Sequence, residues 1–302
     1  MLRHDVFPAA FLSAKIATFD RLGIAVIAIL VPINAAAQGV GIVFKLRYGT
    51  VFMIDACVRR AERNTKCLRC ILQEHNLLTL SHNCLAGLSA SSVELLPVPS
   101  IIDFERRMAA LGKPPNHPMM SPKWHDMSPV DSFAIMFEVD GQEIGGVAAR
   151  CLDLGEDALA KHWQETYSRM YTNGETSPVS GFSGAASREI RGRVVYLGEL
   201  FLAEGWRKGV VDWRLVFHYL FALSYLKWRS DWIYGFVRQQ DVMRGKASRY
   251  GFTRQYVGPQ TWTKCVERRS SQEYLVAISR QDLFDAAAFY SASPEDLRSP
   301  AT

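Results

Sequence analysis

The chain has 302 residues, 48% of them apolar, and a formal net charge of +5, enough for one sizeable core with an appendage. Its 35 Lys and Arg residues are spread along the chain, which argues against a nucleic-acid surface and suits a phosphate-bearing small ligand. Of six cysteines, four (Cys57, Cys67, Cys70 and Cys84) lie in one N-terminal stretch; this is no secreted disulfide framework, so a reducing, cytoplasmic setting is expected.

Residues 1–92 read as an N-terminal extension, weakly ordered or hydrophobic. No charge stands between Arg21 and Lys45, and LGIAVIAILVPI followed by NAAAQ has the outline of a signal-peptide core with a small-residue cleavage site after Ala37, or of a short membrane anchor over 22–44. Pro32, Asn34, Gln38 and three glycines interrupt the run, so membrane association is the lesser reading. Cys67 and Cys70 form a Cys-x-x-Cys pair with His75 and His82 nearby, the way many zinc sites begin. No second pair follows at a matching spacing; reduced cysteines in a poorly specified helix are expected, and no metal.

The main domain is expected over 93–290. IIDFERRMAALG reads as an amphipathic helix with Ile101, Phe104, Met108 and Leu111 on one face and Gly112 as its stop. The proline-rich KPPNHPMMSPKWHDMSP forbids a regular helix or a central strand. FAIMFEVDGQEIGGVAARC is a pair of strands joined by Asp140 and Gly141, where a two-residue hairpin turn needs positive φ. DALAKHWQETYSRMY repeats at helical spacing, and TNGETSPVSGFSGAASREIRGR reads as a long mobile loop. VVYLGELFL is a strand, WRLVFHYLFALSYLKW a helix so apolar that it packs against a sheet, WIYGFV a strand, DVMRGKASRY a helix ended by Gly251, and EYLVAIS a late strand. QYVGPQTW starts another strand on this reading, and the tail 291–302 reads as disordered. The order implies an α/β (α+β) fold, a mixed sheet covered by helices.

YLGELFLAEGWRKG with the long apolar helix after it resembles the strand, loop and helix that bind acyl-coenzyme A in GCN5-related N-acetyltransferases (GNAT superfamily), and WIYGFV through RYGF resembles their next strand and helix. The resemblance covers 101–280 in element order, its specific motifs only 196–252. It implies a GNAT-like sheet, acetyl-CoA or another acyl-CoA as co-substrate, and an amine of a small molecule or peptide as acceptor. In the family, loop backbone N–H groups at a helix start meet the pyrophosphate, a natural anion site. On that basis Leu200, Phe201, Leu202, Arg207, Lys208, Gly209, Val210 and Arg214 are the coenzyme-binding candidates. The loop departs from the family's Arg/Gln-x-x-Gly-x-Gly/Ala pattern. With Gly209 as first glycine, Trp206 replaces the Arg or Gln and Val211 the second glycine; with Arg207 as the Arg, Val210 and Asp212 fall on the glycines. Asp212 reads equally as a helix N-cap and as a charge that would repel a pyrophosphate.

The resemblance also implies a base for the acceptor amine and an acid for the leaving thiolate. Glu199 is the candidate base, expected among apolar neighbours that raise its pKa; a strand carboxylate paired with an arginine is the bland alternative. The acid of many relatives, a Tyr four residues before Gly251, is here Ala247, leaving Tyr250 as the candidate, with Ser248 and Tyr234 as substitutes. His162 and His218 read as core histidines before they read as bases. Trp124, His125 and Asp126 suit an acceptor pocket, or simply pack their loop. A GNAT-fold protein that binds without catalysing is the competing function.

Overall fold

The computed structural model describes residues 51–302 apart from 173–175, 183, 207–208, 264–265, 267–268 and 299–302, with side chains from residue 68 onward. The chain divides after residue 59, and the unit 60–302 is compact. The hydrophobic run over 22–44 and the side chains of Cys57 and Cys67 lie outside the described residues. Among the described residues no helix is long and apolar enough to cross a membrane, and no group of three His, Cys, Asp or Glu side chains converges as metal ligands do.

Helix α1 (Val51–Ser89) is longer and better packed at its C-terminal end than its sequence suggested: Leu77, Leu80, Cys84 and Leu88 are fully buried in the core that continues through the rest of the chain. Spaced at three and four residues, they share one helical face. Strand β1 (Val93–Val98) follows, then α2 (Ile101–Ala110), whose N-cap Ser100 accepts from the Asp103 N–H at 3.1 Å and whose Ile101, Phe104 and Met108 are buried. The proline-rich segment holds one short 3-10 turn, Pro118–Met120, with both methionines buried. The predicted hairpin is β2 (Ser132–Val139) and β3 (Gln142–Asp153), with Asp140 at φ 48° and Gly141 at φ 78° in its turn. Gly146 has a packing reason: a Cβ there would lie 2.6 Å from the Ile135 carbonyl oxygen and 2.8 Å from the Phe104 ring.

After α3 (Leu159–Thr172) the expected loop is instead partly folded. Residues β4 (Val179–Phe182) and α4 (Ala186–Glu189) bury Val179, Ala186 and Ile190, apolar residues that the surrounding Gly and Ser concealed. Then come β5 (Arg193–Leu202), the apolar α5 (Trp213–Trp228) and β6 (Trp232–Arg238). The next predicted helix is two short ones, α6 (Gln239–Met243) and α7 (Lys246–Arg249), because Gly245 between them takes φ 74°. The anticipated strand over 255–262 is two strands, β7 (Arg254–Val257) and β8 (Gln260–Trp262), and β8 pairs with β4. β9 (Glu273–Ser279) and α8 (Arg280–Ala292) complete the fold; beyond α8, Leu297 is buried in a 3-10 turn, so the described part of the tail is anchored.

The seven-stranded sheet runs β1-β2-β3-β5-β6-β9-β7, antiparallel except for β5 beside β6. This is the mixed central sheet flanked by helices that the order of elements implied. Strand side chains alternate between faces. Val195, Leu197, Ile233, Val276 and Ile278 join α1, α5 and α8 in one core, and Val194, Tyr196, Tyr234, Leu275 and Ala277 join α2 and α3 in the other. The two cores lie on opposite faces of a single sheet.

Candidate active site

The parallel ladder between β5 and β6 is short: Val194, Val195 and Tyr196 pair with Trp232, Ile233 and Tyr234, and no further pairs follow. On its other edge β5 pairs Gly198 with Ala148 and Phe201 with Gly146, so Glu199 and Leu200 together stand opposite Val147. That two-against-one count is a β-bulge, which bends a strand. Glu199 takes φ 62° in it, a left-handed conformation that costs a non-glycine residue on the order of 1 kcal/mol and persists where the surroundings impose it.

Past Tyr196 the two strands part, and the gap is a cavity of about 390 Å³ that passes through the sheet. Toward α5 it is apolar and aromatic, lined by Val147, Leu197, Phe217, Tyr250, Phe252 and Val276. On the opposite face it meets Lys113, His117, Tyr196, Glu199, Phe236, Arg269 and Glu273. Crevices at the carboxyl ends of parallel strands are where open α/β sheets take ligands.

Glu199 is not held by apolar neighbours, as its sequence context suggested. It forms a buried ion pair with Lys113, the side chains being 4% and 6% exposed, and its Oε1 accepts the His117 N–H at 2.8 Å. Lys113 also donates to Asn116 Oδ1 (3.0 Å) and the Pro114 carbonyl (3.2 Å), and Asn116 N–H donates to Glu105 Oε1 at 2.8 Å. The proline-rich loop is thereby tied to the bulge. The correction has a simple cause: Lys113 is 86 residues away in sequence.

A second pair, Arg269 and Glu273, stands across the same face with Nη1 and Oε2 3.2 Å apart. Arg269 also donates to Gln260 Oε1 (3.0 Å), Gln260 donates to the Tyr167 hydroxyl (2.7 Å), and the guanidinium lies 3.7 Å from the Phe236 ring centroid. Burial pushes the Glu273 carboxyl above its ordinary range, with Arg269 pulling the other way. Lys113, His117, Arg269 and Glu273 all escaped the sequence reading. Only Glu273 left a signal, because strand alternation puts it on the face of Leu275 and Ala277.

The coenzyme-binding candidates Leu200, Phe201 and Leu202 lie on β5 at and beyond the bulge, the first two lining the cleft. Arg207 and Lys208 lie outside the described residues. Gly209 is exposed at φ 73°, with no atom within 4 Å of where a Cβ would be. Val211, at one of the family's glycine positions, is buried, and Val210 packs against the same core. Asp212 is the N-cap of α5, its carboxylate accepting the Arg214 N–H at 3.0 Å, and Arg214 donates to the Asp296 carbonyl at 3.1 Å.

Tyr250 lines the α5 side of the cleft, stacked on Phe217 at 4.3 Å between centroids, and burial raises its pKa. Ala247 and Tyr234 are fully buried, and Ser248 Oγ accepts from Gln255 at 3.1 Å. His218 is a core residue bonded through Nδ1 to the Arg214 carbonyl at 2.8 Å, and burial lowers its pKa to about 4. Its ring explains Gly251, where a Cβ would lie 2.5 Å from His218 Cε1. Burial brings His162 to about 4 and His125 to about 3. Trp124, His125 and Asp126 line a separate groove at the start of α2 with Ser100 and Ile101, away from the cleft.

No protein-family model matches the chain, and no curated protein matches it. Among solved structures it is similar to Arabidopsis thaliana NAA60 in complex with acetyl-CoA, with 15% identity and a TM-score of 0.36 over 63% of this chain and 99% of that one. It is also similar to Arabidopsis thaliana Naa50 in complex with the bisubstrate analogue CoA-Ac-MVNAL, with 15% identity and a TM-score of 0.34 over 62% of this chain and 99% of that one. A third is FeeM, an N-acyl amino acid synthase from uncultured soil microbes, with 11% identity and a TM-score of 0.34 over 65% of this chain and 96% of that one. These are similarities of chain trace at low identity.

Proposed function

We propose that the protein is an acyl-CoA-dependent N-acyltransferase acting on an amine of a small molecule or peptide. The observation that carries this reading is the through-sheet cleft: β5 and β6 stop pairing, and the opening has an apolar wall on one face and charged pairs on the other. Backbone groups on the parted edges can bond an extended, amide-bearing chain as a neighbouring strand would, and the wall of Phe217, Tyr250 and Phe252 fits its apolar arm. The amine then meets the thioester from the polar face. Attack forms the C–N bond, the C–S bond breaks, and the sulfur takes a proton as the thiol. Tyr250 keeps its proton at neutral pH and faces the apolar arm, which suits it to that donation. Glu199 holds the loop that closes the polar side. The free thiols of Cys70, Cys84 and Cys151 suit a cytoplasmic setting.

Mixing the full chain with acetyl-CoA and a panel of primary amines, and following released CoA with a thiol reagent, tests this reading. Amine-dependent release at a saturable rate is expected; binding of acetyl-CoA without release would favour the competing non-catalytic binder, for which the Asp212 carboxylate at the α5 start is the supporting observation.

A further inference from the structure

We propose that Glu273, and not Glu199, takes the proton from the acceptor amine, and that the body of the acceptor lies in the groove beyond Glu273. This rests on the acyl-transfer reading and deepens it.

Glu273 lines both the cleft and a second cavity of about 510 Å³, lined also by Arg238, Gln239, Gln240, Met243, Ser270 and Gln272. Its Oε2 carries both of its contacts, with Arg269 at 3.2 Å and the Ser270 N–H at 3.4 Å. Oε1 has no hydrogen bond among the described residues, and the side chain is 14% exposed. Glu199 is the opposite case. Both its oxygens are engaged, one by Lys113 and one by His117 N–H, and the side chain is 4% exposed. Burial raises the Glu273 pKa above its ordinary value, the direction that suits a proton acceptor near neutral pH.

The step balances without a further reactant. As the amine nitrogen bonds to the thioester carbon, its proton passes to Glu273 Oε1; the C–S electron pair leaves with sulfur, which takes a proton from Tyr250 to become the thiol, and the proton on Glu273 goes to water while water restores that of Tyr250. The groove beyond presents three Gln side chains and a Ser hydroxyl beside one apolar residue, the exposed Met243, while Arg238 is held by Asp241 at 2.8 Å. Such a lining bonds amides and hydroxyls without demanding a charge. The acceptor is therefore an amine bearing hydrogen-bonding groups, and not a plain alkylamine.

The test uses the full chain, acetyl-CoA and three probes: alanyl-alanine amide, glucosamine and hexylamine. We expect kcat/KM for at least one polar amine to exceed that for hexylamine about tenfold or more, and Glu273→Gln to lower kcat about 100-fold or more. The acid limb of the pH profile should vanish in that variant, with acetyl-CoA affinity near wild type, measured at a temperature where both proteins are folded. Glu273→Asp keeps the charge opposite Arg269 and should retain the limb at reduced kcat. Glu199→Gln should retain the limb too. A folded Glu273→Gln protein with kcat within threefold of wild type, or loss of the limb in Glu199→Gln instead, overturns the assignment. Equal use of hexylamine overturns the groove. Absence of both acetyl-CoA binding and CoA release in the wild-type protein removes the acyl-transfer reading itself, and this inference with it.

Discussion

The two walls of the cleft are held by different physics. The α5 wall is made of Phe217, Tyr250, Phe252, Leu197 and Val276, apolar groups whose positions follow from packing against one helix. The opposite wall is made of charged side chains from a loop, a bulge and the start of β9: Lys113 and Glu199 pair across 86 residues, and Arg269 pairs with Glu273 four residues on. A packed wall tolerates small changes of shape, since volume-conserving apolar swaps cost below about 1.5 kcal/mol. A wall of buried ion pairs does not, because removing one partner strands a charge.

Lys113→Met is the strongest way to break that contrast. It leaves the Glu199 carboxylate buried and unpaired, and urea unfolding should show a loss of about 3–5 kcal/mol. A loss under about 1 kcal/mol would mean that the loop is not held through this pair. On the α5 wall, Phe217→Leu is expected to cost less in the same measurement, for it leaves every charge paired.

Acid treats the two cores alike. His218 in the α5 core and His162 on α3 both have folded pKa values of about 4, against about 6.5 when unfolded. Between those values the unfolded state binds more protons, so stability present above pH 6.5 is lost as pH falls toward 4. Each histidine accounts for on the order of 3 kcal/mol, and melting curves from pH 7 to pH 4 check the direction and the window. Unchanged stability across that window would show that both rings are protonated in the folded protein.

Asp212 separates folding from binding at the start of α5. Asp212→Ala should cost about 1 kcal/mol through the lost N-cap. Asp212→Ser keeps a cap while removing the charge, so stability should hold, and acetyl-CoA should bind more tightly where its phosphates meet the α5 start. Equal affinity in Asp212→Ser and wild type would place the phosphates elsewhere.

The apolar wall and its frame were legible because local patterns encode them. The hairpin followed from Asp140-Gly141 between alternating residues, α2 from its three-and-four spacing, and α5 from its continuous apolar run. The polar wall was not legible. Glu199 was singled out by its strand, yet its conformation and its partner depend on a bulge opposite Val147 and on a lysine in a distant loop. Glu273 and Arg269 drew no notice, because four residues apart they are an i, i+4 charge pair with no local mark of a site; only the passage of β9 beside β6 brings them to the cleft. In the same way β4 and α4 were hidden, since their burial comes from pairing with β8 and packing on α3, and no local repeat marks them.

Amide hydrogen exchange with and without acetyl-CoA tests the through-sheet cleft most directly. Binding in the opening between β5 and β6 should slow exchange at 197–201 and 235–237 and leave β1 and β2 unaffected; protection confined to other elements, or none at saturating acetyl-CoA, would contradict it.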